Sequence, residues 1–112
     1  MEKSILLISK DEGFSAKVAE IIRSKGFIFV VVNNMLDAYE ALRRAYYDLV
    51  LVDSNVGPGL LVREFTNRLF ELNQGVLVFV SRTFPDWVGL EAPLILRALV
   101  EVQLPDWMEK NG

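Results

Sequence analysis

The chain has 112 residues, of which 52% are hydrophobic and 24% charged, and this is the length and composition of one globular domain with a buried core. The 12 basic and 15 acidic residues give a formal net charge of −3, so the chain has no basic footprint for nucleic acid and no polybasic membrane signal. Cysteine and histidine are both absent, which excludes disulfides, zinc–thiolate sites, thiol catalysis and histidine-based triads.

Targeting signals are also missing from the sequence. No apolar run approaches the roughly 18 residues that a membrane-spanning helix needs. The charged start of the chain is followed by only a short apolar run at residues 5–8, which is too short for a signal peptide. We therefore expect a cytoplasmic protein without a membrane partner.

Four short apolar runs are typical of strands that are buried on both faces of a sheet. They lie at residues 5–8, 27–32, 49–52 and 76–80. Between them, apolar residues recur every three or four positions, which predicts three amphipathic helices. The helical faces comprise Phe14, Val18, Ile21 and Ile22, then Met35, Tyr39, Leu42 and Tyr46, then Leu61, Phe65, Leu69 and Leu72. Strict alternation of strands and helices predicts a parallel sheet with helices on both faces.

The last quarter of the chain carries weaker signals. Residues 82–89 predict a loop, and residues 90–99 predict a helix that begins or kinks at Pro93. Residues 100–104 predict a short fifth strand, and residues 105–110 predict a last helix that ends after about one turn. The elements together predict an α/β domain of five strand–helix units, with the last helix short or truncated.

Polar residues follow the predicted strands at the edge of the sheet where ligands bind in open α/β folds. Ser9, Lys10 and Asp11 follow the first strand, Asp53 ends the third, and Ser81 ends the fourth. A carboxylate in this place binds a cation or serves as a nucleophile in phosphoryl transfer. No glycine-rich phosphate loop follows any strand, so nothing supports a nucleotide-binding domain.

The sequence resembles the receiver domains of two-component response regulators over nearly its whole length. The likeness is carried by residues 5–11, 26–27 and 40–42 and above all by the run Tyr-Asp-Leu-Val-Leu-Val-Asp at 47–53. It implies a flavodoxin-like, doubly wound (βα)5 fold with Asp53 at the phosphoacceptor position. Ser81, 28 residues later, falls where the family keeps a threonine or serine, and Gln103, 22 residues further on, falls where it keeps a lysine.

The departures from the family's pattern lie in the acidic pocket. The family holds Mg²⁺ with two adjacent carboxylates at the positions that Ser9 and Lys10 occupy here, and an ammonium opposes a metal. Asp11 or Glu12 is the candidate for a substitute metal ligand beside Asp53, but each is out of register. Both are most simply expected to be the cap and first-turn acids of the first helix. We expect Lys10 either to form an ion pair with Asp53 in place of the metal or to extend into solvent. The predicted pocket comprises Ser9, Lys10, Asp11, Asn55, Ser81 and Gln103 around Asp53.

Apolar and aromatic side chains are concentrated in the C-terminal quarter of the chain. They exceed what a truncated last helix would cover, and such surfaces mark interaction sites. The resemblance implies that this face mediates dimerisation and partner docking. The predicted interaction face comprises Trp87, Leu90, Leu94, Val100, Leu104 and Trp107.

We therefore expect a non-enzymatic signalling module of the receiver type, with a degenerate pocket and no cofactor, that works through protein partners as a homodimer. The alternative is a receiver that accepts a phosphoryl group on Asp53 from a histidine kinase, needs Mg²⁺, and controls an output domain such as a transcription domain. In both cases residues 1–112 are expected to form one domain at the N-terminal end of a longer regulator.

Overall fold

The computed structural model describes residues 3–72 and 75–111, without the side chains at positions 101, 107, 108, 110 and 111. The strands are β1 (Ser4–Ile8), β2 (Ile28–Val32), β3 (Leu49–Asp53), β4 (Val76–Ser81) and β5 (Leu94–Leu96). The α-helices are α1 (Glu12–Arg23), α2 (Met35–Arg44), α3 (Gly59–Leu72) and α4 (Val100–Asn111), with 3₁₀ turns at Ser54–Val56 and Arg97–Leu99.

The five strands form one sheet in the order β2-β1-β3-β4-β5, and every neighbouring pair is parallel. This is the flavodoxin-like order, so the predicted fold class is confirmed. The strand order reverses between β1 and β3. A crevice therefore opens beyond the carboxyl ends of these two strands, which is where ligands bind in this architecture.

The core has two layers, one on each face of the sheet, because successive strand residues point to opposite faces. Leu6 and Ile8 of β1 pack in the layer beneath α2 and α3. Ile5 and Leu7 pack in the opposite layer, which also contains residues of α1 and α4. The central strands β1 and β3 are buried on both faces, as their unbroken apolar runs predict.

The C-terminal quarter differs from the prediction. The fifth strand is Leu94–Leu96, inside the segment predicted as a helix, and the segment predicted as a strand is the beginning of α4. A three-residue strand is too short to show a period of two, and the spacing of Leu90 and Leu94 imitates a helical face. The last helix has 12 residues, so it is longer than the single turn predicted.

A loop over residues 82–93 joins β4 to β5 and is held against α3 by hydrogen bonds. Arg63 Nη1 donates to the Val88 carbonyl at 2.9 Å, and Asn67 Nδ2 donates to the Gly89 carbonyl at 2.7 Å. The Glu91 amide donates to Asn67 Oδ1 at 2.9 Å. The connection therefore reaches β5 without a helix of its own.

The predicted interaction face is wrong for two of its six residues. Val100 and Leu104 are only 3% and 4% exposed, because α4 begins at Val100 and turns its apolar side to the sheet. Leu90 and Leu94 are partly buried and pack against the core. Trp87 also packs there, with its ring centroid 5.8 Å from that of Phe79. The side chain of Trp107 lies outside the described residues.

None of the helices within residues 3–72 and 75–111 has the length and apolar character that crossing a membrane requires.

Candidate functional site

Asp53 and Ser9 lie on either side of the crevice between β3 and β1. Asp53 is the last residue of β3 and is 0% exposed, and Ser9 directly follows β1 and is also buried. The Ser9 hydroxyl donates a hydrogen bond to Asp53 Oδ2 at 2.7 Å. The topology thus brings together two residues that are 44 positions apart, as the sequence predicts.

The cation at Asp53 is Arg97, the first residue after β5. Its Nη2 donates to both carboxylate oxygens of Asp53, at 2.6 and 2.5 Å. Its Nη1 donates to Asp11 Oδ2 at 2.7 Å. The guanidinium carbon lies 4.6 Å from the centroid of the Phe14 ring, within reach of a cation–π interaction. One side chain therefore connects β3, the start of α1 and the junction between β5 and α4.

Asp11 holds the start of α1 against this cluster. It is the N-cap of α1, as predicted, and its Oδ1 accepts a hydrogen bond from the Phe14 amide at 3.0 Å. Its own amide donates to the Ser9 hydroxyl oxygen at 3.1 Å. Arg82 Nη2 lies 3.7 Å from Asp11 Oδ2, although most of the Arg82 side chain is exposed. Asp11 therefore faces positive charge and a helix N-terminus together.

These contacts shift the titration of both ends of the bridge. The hydrogen bond from the Phe14 amide is the largest influence on Asp11, and with the Arg97 guanidinium it outweighs partial burial and lowers the pKa of Asp11. Burial by itself would lower the pKa of Arg97. The hydrogen bonds and negative charge of Asp53 and Asp11 more than offset burial, so the pKa of Arg97 is raised. The raised pKa favours the cationic form of Arg97.

Of the two placements expected for Lys10, the ion pair with Asp53 is wrong and the extension into solvent is found. The Lys10 side chain is exposed, and the residue contributes its backbone amide, which donates to Asn55 Oδ1 at 3.2 Å. Ser9 points into the crevice, and in extended backbone the next side chain points the other way. Arg97 also occupies the site, because its two terminal nitrogens bind Asp53 and Asp11 at the same time.

Gln103 does not line the pocket. It lies in the first turn of α4 with an exposed side chain, because the helix-free loop delivers β5 earlier in the chain than the family spacing implies. The cation therefore comes six residues earlier, at Arg97. The sequence does contain a signal for Arg97. The apolar run at 94–96 is followed by this charged residue, just as the apolar runs of other strands are followed by polar residues. Ser81 is buried at the end of β4, in the strand next to Asp53.

The polar groups around Asp53 are nearly all used. Within the described ranges, no three carboxylate side chains come together as a group that would hold a metal ion. The Nε of Arg97 is buried without a hydrogen-bond partner, so the guanidinium uses its two terminal nitrogens and leaves this donor unpaired. Asp53 therefore has its compensating charge from within the chain.

Comparisons with known proteins identify the fold. No family model matches the sequence, and no curated protein matches it. Among solved structures, a CheY-like receiver domain from Methylobacillus flagellatus is 19% identical with a TM-score of 0.78, over 98% of each chain. A response regulator from Thermotoga maritima is 19% identical with a TM-score of 0.77, over 98% of this chain and 97% of the other.

A third similar structure is an orphan response regulator of H. pylori, 18% identical with a TM-score of 0.73, over 96% of this chain and 92% of the other. At such identities the likeness establishes architecture and leaves the chemistry to the site. The chain has the fold of response-regulator receiver domains.

Proposed function

We propose that this chain is a non-enzymatic signalling module with the receiver fold, in which its own Arg97 compensates the charge of the buried Asp53. It acts through contacts with protein partners and without Mg²⁺-dependent phosphorylation. The single observation that carries the proposal is the contact of Arg97 Nη2 with both oxygens of the buried Asp53. A carboxylate compensated in this way needs no external cation.

The donor set argues against a magnesium site. Mg²⁺ takes six oxygen ligands in near-octahedral geometry and prefers a site of net negative charge. Here the Asp53 oxygens and Asp11 Oδ2 all accept hydrogen bonds from Arg97. Ser9 offers a hydroxyl where the receiver domains that the sequence resembles have a carboxylate. A metal would have to displace a guanidinium whose charge repels it. We infer that the module works without a cofactor.

The arrangement also argues against phosphoryl transfer to Asp53. The attacking carboxylate oxygen needs a free lone pair in line with the phosphorus, and the transition state needs positive charge on the equatorial oxygens. Both Asp53 oxygens accept hydrogen bonds from Arg97, and Oδ2 accepts a further one from Ser9. Arg97 would have to withdraw before a phosphoryl donor reached the carboxylate.

Exposed apolar side chains support a role in protein contact. Phe84 and Val88 in the loop over residues 82–93 are 74% and 83% exposed. Large apolar side chains with this exposure are typical of interaction surfaces when they cluster. Both residues lie in the part of the loop that the sequence predicts, and hydrogen bonds to α3 support the loop.

The test is intact mass after incubation with a small phosphodonor and Mg²⁺, beside Asp53→Asn and an ordinary receiver treated in the same way. We expect no added phosphoryl group under conditions that label the ordinary receiver. A gain of one phosphoryl group that Asp53→Asn abolishes would overturn the proposal. It would establish the alternative, a receiver phosphorylated on Asp53 that switches an output domain.

A further inference from the structure

We propose that the free edge of β2 is a homodimer interface, in which β2 of one copy pairs antiparallel with β2 of a second copy about a two-fold axis at Val30. The inference goes beyond the proposed function, because it uses neither Asp53 nor Arg97. It places the dimer interface on β2, whereas the sequence analysis expects that interface in the C-terminal quarter.

The backbone of β2 has an unpaired edge. The Ile28 amide donates to the Lys3 carbonyl at 2.9 Å, and the Val32 carbonyl accepts from the Ser9 amide at 3.0 Å, so both residues face β1. Because backbone groups alternate in direction along a strand, those of Phe29 and Val31 face away from β1. Across the described ranges of the chain, β2 ends the sheet and no strand lies beyond it.

The β2 edge lacks the features that prevent an edge strand from pairing with another chain. Natural edge strands carry a lysine, a proline or a bulge, or they are covered by another element. The sequence of β2 is Ile-Phe-Val-Val-Val, with no charge and no proline, and its pairing with β1 is continuous. Ile28 and Val31 are 46% and 42% exposed. An uncharged, apolar strand edge of this length is a template for another strand.

A groove beside the strand leaves room for the side chains of an added strand. It has a volume of about 830 Å³ and lies between α1, β2 and the start of α2. Ala16 and Ala19 of α1 line it together with Phe29 and Val31. The small alanine side chains keep the α1 side of β2 open, so Phe29 and Val31 are available for cross-strand packing.

The charges around the groove favour a second copy over an unrelated strand. Arg23, at the end of α1, lies by the amino end of β2, because α1 runs antiparallel to the strand that follows it. Lys10, Glu12 and Asp37 line the groove at the carboxyl end, with a formal sum of −1. Antiparallel pairing sets the positive end of one copy against the negative end of the other, twice per dimer.

The outward-facing residues set the register. Centring the axis on Val30 places Phe29 opposite Val31 of the second copy, and each such pair exchanges two backbone hydrogen bonds. Val30 then faces its own counterpart in a non-hydrogen-bonded pair, with Cα atoms about 4.5 Å apart. The two Val31 Cα atoms are about 8 Å apart, beyond the reach of about 7 Å of a disulfide.

The chain has no cysteine, so a single introduced thiol reports the register directly. Val30→Cys is expected to form a disulfide-linked dimer on mild oxidation, measured by intact mass and non-reducing electrophoresis. Val31→Cys and Val102→Cys, the latter an exposed site on α4, are expected to cross-link far more slowly. Equal rates for Val30→Cys and Val102→Cys would overturn the proposed register and interface.

Sedimentation equilibrium of the unmodified chain tests the interface without a thiol. We expect a concentration-dependent dimer that Val31→Lys weakens by about tenfold or more, because two ammonium groups then face one apolar seam. Val102→Lys, on an exposed site of α4 away from the groove, is the matched control and is expected to leave the dimer unchanged. A monomer at every concentration, or a dimer indifferent to Val31→Lys, would contradict the proposal. Neither result depends on phosphorylation of Asp53.

Discussion

Asp53 is a fully buried carboxylate, and a buried charge needs a partner of opposite charge or several hydrogen bonds. Arg97 supplies the charge through one guanidinium nitrogen that donates to both oxygens, and Ser9 supplies a hydroxyl. The desolvation of such a pair offsets much of its attraction, so the intact pair contributes modestly to stability. Removing only one partner leaves the other charge buried and alone, which is the costly case.

This asymmetry gives a prediction for the pair. Arg97→Met is expected to lower the free energy of unfolding by about 3 kcal/mol, because Asp53 stays buried without its cation. The double variant Arg97→Met with Asp53→Asn is expected to lose less than the sum of the two single losses. Urea denaturation measures all three variants. A loss for Arg97→Met of only about 0.5 kcal/mol, as at a surface site, would contradict the burial of the pair.

The lowered pKa of Asp11 predicts how the stability of the fold changes with pH. Its pKa is lowered in the folded protein, so the folded state binds fewer protons than the unfolded chain at low pH. Its contribution is therefore complete above the ordinary aspartate pKa of about 3.9 and is lost as the pH falls through the lowered value. Asp11→Asn is expected to flatten the loss of stability below about pH 4, measured by urea midpoints across pH. An unchanged slope in this range would contradict the contacts of Asp11.

At the scale of elements, the sequence predicts best where hydrophobic periodicity is long. The first four strands and three helices are found where their patterns place them, because each pattern extends over several residues of one period. Tyr46 is an exception, since it is predicted on the face of the second helix but lies beyond the end of α2 at Arg44. The short β5 and the start of α4 lie in one apolar stretch where strand and helix patterns overlap. Tertiary packing decides between them, since the edge of β4 accepts only residues 94–96.

The position of α4 predicts which of its residues carry stability. Leu104→Ala is expected to cost about 2 kcal/mol or more, because the side chain is buried against the sheet. Val102→Ala, two residues away and 71% exposed, is expected to change stability by less than about 0.5 kcal/mol. Urea denaturation separates the two. Equal losses of stability for the two variants would contradict the helix and favour the strand that the sequence predicts at residues 100–104.

At the scale of the whole molecule, the topology explains both the success and the error at the site. Ser9 and Asp53 follow adjacent parallel strands, so their meeting is predictable from the strand ends alone. The identity of the cation cannot be predicted in this way, because it depends on how many residues join β4 to β5. The loop over residues 82–93 uses few enough that Arg97, and not Gln103, arrives beside Asp53.

The same topology ties the pocket to the end of the chain. Arg97 begins the 3₁₀ turn that leads into α4. The helix α4 packs in the same core layer as Phe14 of α1. The charge cluster and the seat of α4 are therefore parts of one packed unit.

The central claim is that Arg97 holds the place of a metal ion. Titration of the ¹⁵N-labelled protein with Mg²⁺, followed through the amide signals of Ser9, Asp11 and Asp53, tests it most directly. We predict no saturable shift at concentrations that saturate an ordinary receiver, and a gain of binding in Arg97→Met, where the two carboxylates are released. Saturable shifts at Asp53 in the unmodified chain would contradict the claim.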